Sequence, residues 1–165
     1  MPKIIFLNGC INAGKTTTAT MLKQVVRNLA HVEVDDLHNF ISWAPIEQAY
    51  SLNIENAIAV TRNFVKAGID VIFAYPLSKP DYTAIVAQLD DLDAEIIAIT
   101  LYTSLQQVQS NRGTRVLTPW QHERAAWMFQ NGLALPEIGP VIDNSTLSVE
   151  QTVDEVIRLA GLLRR

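Results

Sequence analysis

Apolar positions along the chain recur in two rhythms: short continuous runs, and stretches with a period near 3.6 residues. Residues 3–8, 69–75 and 95–102 are nearly unbroken runs of Ile, Val, Phe, Leu and Ala. Such runs, bounded by turn residues, predict strands covered on both faces. Residues 31–35 alternate apolar and polar and predict a further strand. A short last strand is expected over 138–143, with Pro140 at an edge or bend. Between the runs the period lengthens. Residues 15–28 carry Ala19, Leu22, Val25 and Val26 on one helical face, and 46–67 form a long helical pattern that Gly68 stops. A helix follows Pro80. Ser104-Leu105-Gln106-Gln107 has the form of a capping box, Thr118-Pro119 that of an N-cap with Pro at the first helical position. Ser148-Val149-Glu150-Gln151 caps a final helix ending near Leu163. Strands alternating with helices predict an α/β protein with a mostly parallel sheet. Ligands of such sheets bind beyond the carboxyl ends of the strands, so the residues just after each strand matter most.

Composition narrows this picture. The chain has 165 residues, 48% of them hydrophobic and 18% charged, which suits one domain (1–165) with a real core. The net charge of −4 argues against a general nucleic-acid binder. The lone cysteine, Cys10, excludes a cysteine-rich zinc module and fits a reducing compartment. No apolar stretch approaches the ~18 residues of a membrane span. A cytoplasmic protein without membrane partners is expected; the oligomeric state is not legible.

Gly9-Cys10-Ile11-Asn12-Ala13-Gly14-Lys15-Thr16 matches G-x-x-x-x-G-K-[ST] in full. In that motif glycines let backbone N–H groups turn around phosphate oxygens. Lys15 brings a positive charge to the β- and γ-phosphates, and Thr16 offers a hydroxyl to Mg²⁺. The helix that starts there, with Thr17 in its first turn, adds its positive end. Cys10 is read as a small side chain at a variable position of the loop.

Glu33-Val34-Asp35-Asp36 ends the second strand, where Glu33 and Asp35, two apart, should share one face. Phosphoryl transfer needs a carboxylate near the attacking hydroxyl and another near Mg²⁺. Asp35 is the candidate for the hydroxyl and Glu33 for the metal. The third strand has no Asp at its carboxyl end, which argues against a motor-type ATPase. Asn111-Arg112-Gly113-Thr114-Arg115 suits a closing lid, over about 111–120, whose arginines neutralise the transferring phosphoryl group; a solvated helix end is the other reading. His38, Phe40, Trp43 and Tyr75 are candidates for an acceptor pocket, with a substrate-binding segment at about 37–60. Trp120, Trp127 and Phe129 either join them or pack under the lid. Asp143 and Asn144, leaving the last strand, either meet an adenine edge or form an ordinary turn.

The chain resembles the small P-loop kinases of metabolites: shikimate kinase, gluconate kinase and chloramphenicol phosphotransferase. The likeness rests on Gly9 to Thr16 together with Glu33-Val34-Asp35-Asp36-Leu37-His38, which is similar to the D-G-D-x-L-H of gluconate kinases. Arg112 and Arg115 fall where that family has its lid arginines. The resemblance implies a three-layer P-loop NTPase fold, a five-stranded parallel sheet in order 2-3-1-4-5, ATP with Mg²⁺ as cofactors, and transfer to a hydroxyl of a small molecule. Where shikimate kinases have Gly-Gly-Gly this chain has Ala74-Tyr75-Pro76-Leu77, so shikimate is not the expected acceptor. Two alternatives stand beside this reading. One is a nucleoside or nucleotide kinase, the nucleotide form being disfavoured because residues 37–58 contain no Lys or Arg. The other is a non-catalytic nucleotide-binding regulatory protein.

Overall fold

A computed structural model describes residues 1–41, 43–110 and 116–165. Its strands are β1 (Lys3–Asn8), β2 (Leu29–Glu33), β3 (Asp70–Ala74), β4 (Glu95–Tyr102) and β5 (Val141–Asp143). Its helices are α1 (Lys15–Val25), α2 (Val34–Leu37), α3 (Ile46–Lys66), α4 (Lys79–Val86), α5 (Leu105–Gln109), α6 (Pro119–Gln130) and α7 (Val149–Ala160). A 3-10 turn, His38–Phe40, follows α2. The described strands form one sheet in the order β2-β3-β1-β4-β5, and each neighbouring pair is parallel. This is the order that the family resemblance implied.

Strand alternation divides the core. Ile5 and Leu7 of β1 join Ile72, Ile99 and Leu101 under Ala19 and Leu22 of α1 and Val153 and Val156 of α7. Ile4 and Phe6 join Val71 and Phe73 under Ile54, Ala57 and Ile58 of α3 and Ile85 of α4. A strand buried on both sides has no need of polar alternation, which explains the unbroken apolar runs. Phe6 touches Phe73 with ring centroids 5.0 Å apart and meets Tyr82 edge-on at 5.1 Å.

Several boundaries differ from the sequence pattern, each for a local reason. Helix α1 ends at Val25 rather than 28, because Val26 is extended and bridges to Arg164 of the C-terminal tail. Asn28 then turns at φ 53°, with its Nδ2 donating to the Gly68 carbonyl at 2.6 Å. β2 begins at Leu29 and ends at Glu33, so the expected strand over 31–35 is shifted towards the N-terminus. Asp35 and Asp36 sit instead in the first turn of α2, where the positive end of a helix favours carboxylates. Glu33 and Asp35 therefore do not share a strand face. β5 starts at Val141, not 138. Helix α7 stops at Ala160, before Leu163, because Gly161 takes the left-handed conformation at φ 57°.

The caps follow the sequence more closely. Thr118 and Ser148 both form complete capping boxes, with Gln121 and Gln151. Ser78 caps α4 by accepting from the Asp81 N–H. The box at Ser104 is half-formed: Ser104 accepts from the Gln107 N–H, but the Gln107 amide donates to the Ser145 carbonyl at 3.0 Å.

The chain enters β5 by pressing Gly139 against β4. A Cβ there would lie 2.2 Å from the Ala98 carbonyl oxygen. Gly139→Ala must push two backbones apart, and a loss of about 1–3 kcal/mol of stability is expected. Urea unfolding checks it, since the midpoint should fall with little change in slope.

Candidate active site

The turn from β1 into α1 builds the phosphate loop. Gly9 takes φ 145°, Asn12 φ 62° and Gly14 φ 98°. Gly9 also has no room for a side chain, since a Cβ would stand 2.6 Å from the Leu101 carbonyl oxygen. Helix α1 starts at Lys15 with no side-chain cap and no acidic residue in its first turn. Its first N–H groups and its positive end are thus presented to an anion.

Neighbouring elements hold this loop. Asn144, buried just after β5, donates from Nδ2 to the Ala13 carbonyl at 2.9 Å. Asn12 donates from Nδ2 to the Val108 carbonyl at 2.8 Å, tying the loop to α5. Cys10 is buried in a small cluster with Val108 and with Ala125 and Met128 of α6. Ile11 packs against that cluster. The Lys15 ammonium donates to the Gly9 and Cys10 carbonyls at 2.9 and 3.0 Å, folded back over the loop. Asp143 is exposed and holds Ser145 through its backbone N–H at 3.0 Å.

Beside the loop, the Thr16 hydroxyl donates to Glu33 Oε2 at 2.8 Å. His31 Nε2 lies 3.5 Å from the same oxygen. Burial pushes the Glu33 carboxyl up, but His31, the Thr16 hydroxyl and the Lys15 charge outweigh it and hold the pKa below the ordinary 4.5. Glu33 is therefore ionised at neutral pH. One hydroxyl and one carboxylate oxygen in contact form a hard donor pair of the kind that would suit Mg²⁺. Among the described residues no group of three or more His, Cys, Asp or Glu could by itself hold a metal.

The lowered Glu33 pKa has a sign for stability. Its contribution is fully present above pH 4.5 and is lost as pH falls through the lower, folded-state value. Glu33→Gln should accordingly flatten the acid limb of the stability–pH curve below pH 4.5, as thermal melting across pH would show.

Past Glu33 a cleft of about 830 Å³ opens. Asp35, Tyr75 and Ile11 line it, as do Tyr50 and Glu47 of α3 and Asp81 of α4. Helix α6 contributes Trp120, Arg124, Trp127 and Met128. Tyr50 and Tyr75 lie with ring centroids 6.0 Å apart. Burial and the Asp81 carboxylate push the Tyr50 phenol up to about 12. Burial, then the charge of Asp35, raises Tyr75 as well. Both phenols are donors at neutral pH.

Of the candidates read from the sequence, Asp35 and Tyr75 meet in this cleft. His38 lies outside its lining, with Nδ1 3.4 Å from Asn53 Nδ2. Phe40 and Trp43 are 85% and 83% exposed and also stand outside it. Trp120 and Trp127 line it, whereas Phe129 packs on Tyr102. Arg112 and Arg115 lie outside the described residues. Glu47 and Tyr50 fall inside the expected segment at about 37–60 without having been named there as candidates, and Asp81 and Arg124 lie outside it. Arg124 had a signal, being four residues after Trp120 and three before Trp127, on one helix face.

A phosphate loop between the central strand and α1, in a parallel sheet of this order, defines the fold of the small P-loop kinases. No protein-family model matches the sequence, and no curated protein sequence does. Solved structures match over nearly the full chain. A sugar kinase from Janibacter is similar with a TM-score of 0.70 and 15% identity, covering 98% of this chain and 96% of its own. The tunicamycin resistance protein of Deinococcus radiodurans gives 0.65 and 18%, covering 99% and 98%. Shikimate kinase from Acinetobacter baumannii gives 0.61 and 14%, covering 96% and 93%. Among the described residues no helix is long and apolar enough to cross a membrane.

Proposed function

We propose that the protein is an ATP- and Mg²⁺-dependent phosphotransferase that moves the γ-phosphoryl group to a hydroxyl of a small molecule. The observation that carries this reading is the contact of Thr16 with the ionised Glu33 beside the phosphate loop, next to a cleft that has Asp35 in its lining. This reading makes the loop the donor site and the cleft the acceptor site, with a carboxylate at each.

In this reading Lys15 leaves the Gly9 and Cys10 carbonyls to meet the β- and γ-phosphates. Thr16 and Glu33 would hold Mg²⁺, which when bound would neutralise charge on the phosphates. Asp35 accepts a hydrogen bond from the acceptor hydroxyl, aligns its oxygen with phosphorus, and takes the proton as the new P–O bond forms. The broken bond leaves ADP. Arg112 and Arg115, outside the described residues, are the cations expected to neutralise the transferring group. Asn144 supports the loop through Ala13, and Asp143 stands beside it at the nucleotide end.

The test is ADP release from Mg²⁺-ATP against sugars, sugar acids, nucleosides and hydroxylated antibiotics. Stimulation by one class establishes the kinase and names its acceptor. ATP binding without stimulation by any class would favour the nucleotide-binding regulatory reading instead.

A further inference from the structure

Resting on the kinase reading, we infer that the acceptor is a ring-bearing alcohol that carries an ammonium group, and that the acidic, aromatic cleft selects it over neutral and carboxylated alcohols.

Size points to the ring. The cleft holds about 830 Å³, in the range of roughly 300–1,000 Å³ that takes drug-sized ligands. Its aromatic faces come from separate elements: Tyr50 from α3, Tyr75 from the segment after β3, and Trp120 and Trp127 from α6. The two tryptophans are 53% and 43% exposed. Large apolar side chains left open along a concave surface mark a site that a ring covers.

Charge points to the ammonium. Asp35, Glu47 and Asp81 line the cleft, against Arg124 as the cation that the described residues contribute. Arg124 already lies over the Trp127 ring, 4.2 Å from its centroid. Asp35 is assigned to the reacting hydroxyl, which leaves the exposed Glu47 to meet the ammonium directly, while Asp81, already accepting from the Ser78 hydroxyl at 2.5 Å and facing the Tyr50 phenol, adds its charge to the cleft. A cleft lined by one sign of charge concentrates ligands of the other. Tyr50 and Tyr75, both in the lining, supply aromatic rings that can attract a cation where a neutral or anionic group gains nothing. A carboxylated acceptor would meet three carboxylates against the single guanidinium of Arg124 among the described lining residues.

Three phenyl alcohols of nearly equal shape test this: 2-amino-1-phenylethanol, 1-phenylethane-1,2-diol and mandelate. Binding is read by Trp fluorescence with Mg²⁺ and a non-hydrolysable ATP analogue present, and ADP release is read with ATP. The amino alcohol is expected to bind at least about tenfold more tightly than the diol, with mandelate weaker still. Glu47→Gln, at an exposed position that leaves the fold intact, should cut that preference severalfold, and Asp81→Asn should act in the same direction. Equal or tighter binding of the diol or mandelate overturns the inference. So does failure of the amino alcohol to bind. Selective binding of the amino alcohol without ADP release upholds the cleft's selectivity and removes the kinase reading. ADP release that the diol or mandelate stimulates as well as the amino alcohol upholds the kinase and overturns the selectivity.

Discussion

Asp35→Asn is expected to lower acceptor-stimulated ADP release by about 10²–10⁴-fold, the usual contribution of a positioned general base. The substitution keeps the shape of the side chain and removes its proton affinity. Asp35 is exposed in the first turn of α2 and lines the cleft. The charge is lost from an exposed position at the start of a four-residue helix, so the melting temperature should change little beside the loss of rate. Affinity for Mg²⁺-ATP should also hold, because the donor contacts lie on Lys15, Thr16 and Glu33. Titration of ATP binding beside the rate assay separates the two effects. Full turnover in the variant would exclude Asp35 as the base.

Lys15→Met should act on both halves of the reaction. The ammonium is the group that can move from the Gly9 and Cys10 carbonyls to a phosphate, and Met retains only the apolar stem. Removing one preorganised positive donor from the transferring group costs about 10²–10³-fold in rate. Nucleotide affinity should fall with it, a joint loss that distinguishes this variant from Asp35→Asn. The measurements are single-turnover transfer and equilibrium binding of ATP. Unchanged affinity would mean that the ammonium stays on the loop carbonyls when nucleotide binds.

The parts of the site that depend on neighbours in sequence were legible there. The glycines, Lys15 and Thr16 stand in one short motif, and the phosphate loop folds between the strand and helix that flank it. Thr118 and Ser148 cap their helices because a box needs only residues three apart. Ser104 departs because Gln107 is drawn to Ser145, 38 positions away, and no local pattern records that partner. The end of β2 was misplaced for a related reason. Alternation continues through Asp35, but two adjacent acids favour a helix start, and the chain turns after Glu33. The cleft proposed for the acceptor was the least legible region. Tyr50, Asp81 and Arg124 come from three helices, and although Arg124 shares a helix face with Trp120 and Trp127, no local pattern shows that the three meet at one cleft.

The small cluster around Cys10 has a consequence for how the two halves of the site communicate. Cys10 belongs to the phosphate loop, Met128 belongs to both the cluster and the cleft lining, and Ile11 touches both sites from a single side chain. In the kinase reading the donor and acceptor pockets therefore share a floor instead of standing as separate compartments. Any shift of that floor when one ligand arrives is felt by the other. Whatever factor the nucleotide imposes on the acceptor's dissociation constant, the acceptor must return to the nucleotide's. Order of addition then becomes a property of packing: the ligand that first settles the floor prepares the second pocket.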